Sequence, residues 1–110
     1  MKKVFTYISE GSDYNILQEI ATGFQRSQIL FTAVKIDLFT QIEKGVNTVD
    51  TISTTLELNK EALVQILDAL VAMALLIKRG NAYYNSRLAS QHLIPTSPDY
   101  YGFLLHYANI

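Results

Sequence analysis

The side chains that could perform acid–base or metal chemistry are few in this sequence, and they are widely separated. His92 and His106 are its two histidines, and their spacing does not suggest a pair of metal ligands. Four aspartates occupy expected helix starts or polar helix faces, where capping and solvation explain them: Asp13, Asp37, Asp50 and Asp68. The pattern therefore predicts no complete active site within the chain.

Glycine and cysteine usage excludes further kinds of site. The five glycines, at positions 11, 23, 45, 80 and 102, never cluster, so the sequence has no phosphate-cradling loop and no dinucleotide-binding fingerprint. The absence of cysteine excludes thiol nucleophiles, disulfides and cysteine-ligated zinc. We expect no bound cofactor and no metal in this chain.

Aromatic side chains crowd the C-terminal segment: Tyr100, Tyr101, Phe103 and Tyr107. One interpretation is that they pack against the core. The other is that they form one wall of an apolar ligand pocket, completed by something outside this chain. His106 lies among them and could act as a general base, although a lone histidine on a helix is more often structural. The sequence leaves both interpretations open.

The composition favours a single domain that has a partner. Hydrophobic residues make up 49% of the 110 residues and charged residues 17%, which is apolar for a small monomer and indicates that a partner covers some surface. The net charge of −1 gives no general attraction to nucleic acid or anionic membranes. No apolar run approaches the roughly 20 residues of a membrane span. We expect a soluble, cytoplasmic protein without membrane contact.

Residues 59–85 predict a long helix that leads directly into a hairpin. Asn59 can accept backbone N–H groups of the first turn. Apolar residues at three- and four-residue spacing form one buried stripe: Leu63, Ile66, Leu67, Leu70, Val71 and Ala74. Gly80 and Asn81 suit a tight turn, after which Tyr83 and Tyr84 should point to opposite faces of a strand.

Four further helices are predicted before this stretch. The first carries an apolar stripe and ends near residues 25–26, and a second begins at Ser27. The stripe of the first consists of Ile16, Leu17, Ile20, Ala21 and Phe24. Asp37 is expected to cap the third helix and Gly45 to close it. The fourth is expected to begin at residues 47–50.

This order of elements predicts a mainly α fold, a winged helix-turn-helix-like helical domain with one short β-hairpin. We expect an N-terminal arm over residues 1–13 and the winged-helix-like domain over residues 14–99. Residues 100–110 are expected to begin a further helix, because the Pro98 that precedes them suits a helix start.

A DNA-binding transcriptional regulator is one function for such a fold. The groove-facing side of the second helix of the pair would carry Lys60, Glu61, Val64, Gln65, Asp68 and Ala72. Carboxylates near phosphates are repelled, and this side has no arginine for guanine. Lys78, Arg79 and Arg87 could contact a DNA backbone, but a solvated hairpin tip and loop also account for these three residues. We favour the solvated interpretation and keep DNA binding as the alternative.

A dimerisation domain is the other function. Apolar residues surround the early helices instead of lining one face: Ile29, Leu30, Phe31, Ala33, Val34, Ile36, Leu38 and Phe39. A helix that is apolar on several sides is either central or shared with a partner. In so small a chain sharing is favoured, and obligate homodimer interfaces are the apolar kind.

Six segments, taken in order, resemble a known family: residues 24–30, 33–39, 48–52, 56–58, 67–70 and 74–76. Together they resemble the N-terminal dimerisation domain of S-adenosylmethionine-dependent O-methyltransferases. The resemblance implies a homodimer with interlocking helices, a small-molecule methyl acceptor, and a Rossmann-like catalytic domain that binds S-adenosylmethionine. That domain is expected to be absent from this chain, which alone should not transfer methyl groups.

The resemblance also implies a substrate pocket that this domain helps to line. The positions that match are Phe24 on an early helix and Phe103, His106 and Tyr107 on the last one. Two positions depart from the family pattern, because Asp37 and Ala74 stand where the family often has glycine.

Overall fold

The computed structural model describes residues 13–101, which form five helices and one β-hairpin. The elements are α1 (Asp13–Lys35), α2 (Leu38–Glu43), α3 (Val49–Leu56), α4 (Lys60–Ala72), β1 (Leu76–Arg79), β2 (Ala82–Asn85) and α5 (Arg87–His92). This architecture confirms the predicted mainly α fold with a winged-helix-like order and one hairpin. Most of the predicted N-terminal arm and most of the predicted last helix lie outside the described residues.

Helix α1 is one continuous helix of 23 residues, and the predicted break near Ser27 is wrong. No proline lies within α1, and serine is tolerated inside a helix. Asp13 in the first turn and Lys35 in the last turn both interact favourably with the helix dipole.

Two predicted helix starts are confirmed by their capping bonds. Thr48 and Thr51 form a capping box, in which each side chain accepts from the other residue's backbone N–H at 3.2 and 3.1 Å. The Asn59 side chain accepts from the Ala62 N–H at 2.9 Å. At α2 the prediction was wrong in detail, because Asp37 accepts from the Thr40 hydroxyl at 2.6 Å and makes no bond to a backbone N–H of the helix.

Helices α1 to α4 are each followed by a residue in the left-handed conformation. These residues are Asp37, Gly45, Glu57 and Ala74, with φ of 61°, 97°, 55° and 62°. Glycine favours this conformation because it has no Cβ, yet only one of the four is glycine. The left-handed backbone at Asp37 and Ala74 explains why glycine suits both positions.

Helix α4 buries the centre of its predicted stripe but not its end. Leu63, Leu67 and Leu70 are buried, and Ile66 and Val71 pack at the edge of the core. Ala74 is exposed and lies beyond the helix, so its predicted place in the stripe is wrong. The reason is the left-handed turn, where the Leu75 N–H donates to the Leu70 carbonyl and directs the chain into β1.

The hairpin pairs Leu76 with Asn85 and Arg79 with Ala82 around a turn that contains Gly80. Tyr83 is buried and Tyr84 is exposed, which confirms the predicted alternation. The Asn85 side-chain amide ties β2 to α2, because it donates to the Phe39 carbonyl at 2.9 Å.

One hydrophobic core joins all these elements: Ala33, Val34, Leu38, Phe39, Ile42, Ile52, Leu63, Leu67, Leu70, Leu76, Tyr83, Ala89, Leu93 and Ile94. Four residues that we expected to share with a partner are therefore buried within this chain. They are Ala33, Val34, Leu38 and Phe39. Among residues 13–101, no helix is both long and apolar enough to cross a membrane.

Candidate functional site

The first half of α1 exposes a row of large apolar side chains, which we name the α1 ridge. Tyr14 is 70% exposed, and Leu17, Ile20 and Phe24 are each 65% exposed. Their three- and four-residue spacing places them on one side of the helix. The sequence predicted an apolar stripe that includes Leu17, Ile20 and Phe24, and the structure shows these three side chains exposed.

The opposite side of α1 faces the rest of the domain. Thr22, Arg26 and Ile29 share a shallow depression with residues at the end of α4, and Ala33 is buried in the core. At 100° per residue this side lies roughly 150° around the helix axis from the α1 ridge. The α1 ridge therefore points away from the rest of residues 13–101, which leave it exposed.

A second apolar feature lies beside the second half of α1, and we name it the groove. It has a volume of about 380 Å³ and is lined by Leu30, Leu75, Leu88, His92, Leu93 and Tyr101. Only apolar atoms of these side chains line it. Leu88 is 53% exposed and forms its rim.

Hydrogen bonds hold one wall of the groove in place. The Tyr101 N–H donates to the His92 carbonyl at 2.7 Å, and His92 Nδ1 donates to the Asp99 carbonyl at 3.0 Å. The Ser97 hydroxyl donates to the Gln91 carbonyl at 2.6 Å. The loop after α5 thus folds back onto that helix. Tyr100 and Tyr101 are not helical, so the prediction of a helix from Tyr100 is wrong at its first two residues.

Sequence analysis did not predict the groove. Its lining comes from α1, the α4–β1 turn, α5 and the following loop, and no local pattern links these segments. Leu88 was the available signal, because it is a large apolar residue on a short polar helix.

The predicted pocket residues are only partly within the described chain. Phe24 lies on the α1 ridge and does not line the groove. Phe103, His106 and Tyr107 lie outside residues 13–101. Whether these four positions meet in one pocket therefore stays a prediction.

Acid–base groups are not concentrated in the part of the chain that the structure describes. No three histidine, aspartate or glutamate side chains within residues 13–101 are grouped to hold a metal ion. Burial raises the pKa of Tyr100 above its ordinary value of 10.0, and the negative charge of Asp37 adds to this shift.

The exposed side of α4, which would enter a DNA groove, is not basic. Lys60 is the one cation on it, and its ammonium lies 2.9 Å from the Asp50 carboxylate. Glu61 and Asp68 are exposed on the same face. At the hairpin, the Lys78 ammonium lies 5.5 Å from the centre of the Tyr83 ring. The helix face that would enter a DNA groove therefore offers no positive surface to a phosphate backbone.

Comparison with known proteins gives a consistent result. Residues 18–95 match the family model of the O-methyltransferase dimerisation domain. The chain is 32% identical over 105 residues to acetylserotonin O-methyltransferase of Bos taurus, which covers 90% of this chain and 30% of that protein. It is 31% identical over 87 residues to 3-hydroxy-5-methyl-1-naphthoate 3-O-methyltransferase of Streptomyces sahachiroi, which covers 79% of this chain and 25% of that protein.

Solved structures agree with these sequence matches. An O-methyltransferase family protein from Burkholderia thailandensis superposes with a TM-score of 0.79 at 26% identity, over 88% of this chain and 29% of that one. Human N-acetylserotonin methyltransferase, solved in complex with SAM, gives a TM-score of 0.78 at 27% identity, over 87% of this chain and 30% of that one. The chain thus spans less than a third of each relative, and none of these matches supports the DNA-binding alternative. This chain belongs to the O-methyltransferase dimerisation domain family.

Proposed function

We propose that this chain forms a homodimer and serves as the dimerisation domain of an S-adenosylmethionine-dependent methyltransferase. The observation that carries the proposal is the α1 ridge, a row of large apolar side chains that the described part of the chain leaves uncovered. Contiguous exposed apolar surface of this kind marks a protein interaction site. In a member of a dimerisation domain family, a second copy of the chain is the occupant we favour.

The energy of covering the α1 ridge is of the size that a dimer requires. Its side chains are 65–70% exposed. Burying that fraction of a large apolar side chain contributes roughly 1–2 kcal/mol. With four side chains from each protomer the gross gain is on the order of 8–16 kcal/mol. Association costs about 4–15 kcal/mol, which is of the same size as this gain, so the net affinity from the ridge alone is small and a stable dimer needs further apolar contact.

The described residues give no reason to place the SAM site in this domain. A SAM site needs a glycine-rich loop at a helix N-terminus. Gly23 lies inside α1, Gly45 closes α2 and Gly80 lies at the hairpin tip, so none of the described glycines forms such a loop. We therefore assign no cofactor-binding residue and derive no methyl-transfer step here.

We further propose that the domain lines the pocket for a small-molecule methyl acceptor. Phe24 is the described candidate: one edge of its ring would contact the acceptor while the rest of the side chain packs in the dimer interface. Phe103, His106 and Tyr107 are proposed on the family resemblance alone. The domain limits of residues 14–99 and a cytoplasmic location complete the proposal.

Light scattering across a range of protein concentration tests the homodimer. We expect the mass of two chains at micromolar concentration, with dissociation on dilution. A folded chain that keeps the mass of one protomer at these concentrations would contradict the proposal. Circular dichroism of the same sample separates a folded monomer from an unfolded chain.

Phe24→Leu tests the pocket role in the methyltransferase that carries this domain. Leucine keeps the α1 ridge apolar and removes only the aromatic ring, so the dimer should persist. We expect KM for the acceptor to rise while kcat changes little, because the ring would contribute to binding. Tyr84→Leu, an exposed aromatic change on the hairpin, is the control. Unchanged KM in the Phe24 variant would argue against the assignment.

A further inference from the structure

We infer that residues 102–110 dock back on the groove, through the side of their predicted helix that carries Leu104, Leu105 and Ala108. The occupant of the groove is therefore the segment of this same chain that follows Tyr101. That segment lies outside the described residues, so its helix is a prediction from the sequence. Neither the family match nor the proposed homodimer requires this contact.

The groove presents apolar surface that residues 13–101 leave open. Leu88 is 53% exposed and Tyr101 is 56% exposed, and both residues line the groove. The Nδ1 atom of His92 is already bonded to the Asp99 carbonyl at 3.0 Å, so this atom does not require a polar ligand. Removing such surface from water is favourable, and an apolar segment is the occupant that suits it.

The path of the chain brings this segment to the groove. Tyr101 is both a lining residue and the last described residue, so the segment begins at the groove itself. The bond from the Tyr101 N–H to the His92 carbonyl, at 2.7 Å, fixes this exit point against α5. A short connection of this kind costs little chain entropy. Residues 1–12 are worse placed, because Asp13 precedes the groove residue Leu30 by 17 residues, roughly 25 Å along α1.

The composition of the segment matches an apolar groove. Residues 102–110 contain no aspartate, glutamate, lysine or arginine. At 100° per residue, Leu104, Leu105 and Ala108 fall within one arc of roughly 100° on the predicted helix. Alanine between two leucines allows this side of the helix to approach closely. A helix with apolar residues on several sides is central or lies between two neighbours, and the groove is one such neighbour.

The opposite side of the same predicted helix carries the proposed pocket residues. Phe103, His106 and Tyr107 fall roughly 150° around the helix axis from the side that would enter the groove. Docking therefore turns these three side chains away from the described domain, where a methyl acceptor could reach them. Their pocket role rests on the proposed function, whereas the contact with the groove does not.

Disulfide formation within one chain tests this contact, because the full chain has no native cysteine. Leu88→Cys labels the groove rim, where the exposed side chain can be replaced without opening the core. It is combined in turn with Leu104→Cys, Leu105→Cys or the control Phe103→Cys. Each double variant is equilibrated with reduced and oxidised glutathione, and intact mass gives the fraction of chains that hold an internal disulfide. That fraction yields the effective concentration of one thiol at the other.

A flexible tether gives an effective concentration on the order of 1 mM, and we expect the better of Leu104→Cys and Leu105→Cys to exceed it by about tenfold or more. Phe103→Cys should not exceed it, because a disulfide needs Cα atoms closer than about 7 Å and side chains that point toward each other.

Three results would overturn the inference. In the first, neither leucine position exceeds the value of a flexible tether, and the segment does not dock. In the second, Phe103→Cys gives the highest value, and the opposite side of the helix enters the groove. In the third, the disulfides join two chains, and the groove holds the segment of a partner. An internal disulfide in a chain that light scattering shows to be monomeric would contradict the homodimer alone and support the contact.

Discussion

Replacing Ile20 by glutamine should weaken the proposed dimer without disturbing the fold. Ile20 is 65% exposed in the isolated chain and lies in the middle of the α1 ridge. Glutamine forms helices at least as well as isoleucine, so α1 itself should not suffer. Burying about two-thirds of an isoleucine side chain contributes roughly 1–2 kcal/mol, and a two-fold dimer loses this twice. A loss of roughly 2–4 kcal/mol raises the dissociation constant about 30- to 700-fold.

Sedimentation velocity over a concentration series measures this change. Ile77→Gln is the matched control, because Ile77 is an exposed isoleucine on β1, away from the α1 ridge and the groove. The control should dimerise as the natural chain does. If the Ile20 and Ile77 variants dissociate at the same concentration as the natural chain, the α1 ridge is not part of the interface and the reasoning fails.

Three further predictions concern the domain itself. Leu70→Ala removes a side chain that is fully buried in α4. Chemical denaturation should show that the free energy of unfolding falls by about 2–5 kcal/mol. Gln65→Ala, at an exposed position on the same helix, is the control and should change the free energy of unfolding by less than about 0.5 kcal/mol. Ala74→Gly relieves the Cβ strain of a left-handed residue with φ of 62°, so the free energy of unfolding should rise by up to about 1 kcal/mol; a lower melting temperature would contradict that backbone conformation. The raised pKa of Tyr100 means that the folded chain holds this proton more tightly than the unfolded chain. The contribution of Tyr100 to the free energy of unfolding should therefore stay constant below pH 10.0 and fall as the pH rises above it. Tyr100→Phe should reduce that fall in alkaline denaturation profiles.

Helix starts were predictable from the sequence because their signals are local. Thr48 and Asn59 bond to backbone N–H groups three residues further on, so each signal lies within one turn. Helix ends were harder. Asp37, Glu57 and Ala74 adopt the left-handed backbone conformation, which a sequence signals when glycine occupies the position. Their side chains give no such signal. Backbone bonds close these turns, as from the Leu58 N–H to the Ser53 carbonyl and from the Leu75 N–H to the Leu70 carbonyl. The elements against which the chain then packs are far away in the sequence.

The candidate site shows the same division between local and long-range information. Three- and four-residue spacing predicted the apolar side of α1, including Leu17 and Ile20, but spacing does not say what covers that side. The sequence therefore predicted the stripe correctly, and only the folded structure shows that its large side chains are exposed. The groove joins Leu30 to Leu88, residues far apart in the chain, and only the folded structure brings them together.

The length of α1 has a consequence for how this chain responds to its own concentration. The residues that α1 buries, Ala33 and Val34, lie near its C-terminal end, so the first half gains little from this domain's core. Helical segments shorter than about 12–15 residues are only marginally stable in water without tertiary contacts. Amide hydrogens of residues 16–24 should therefore exchange rapidly with deuterium in dilute solution and slowly once a partner covers the helix. Deuterium exchange in the first half of α1 then reports on assembly, because this half of the helix becomes stable only when a second chain covers it.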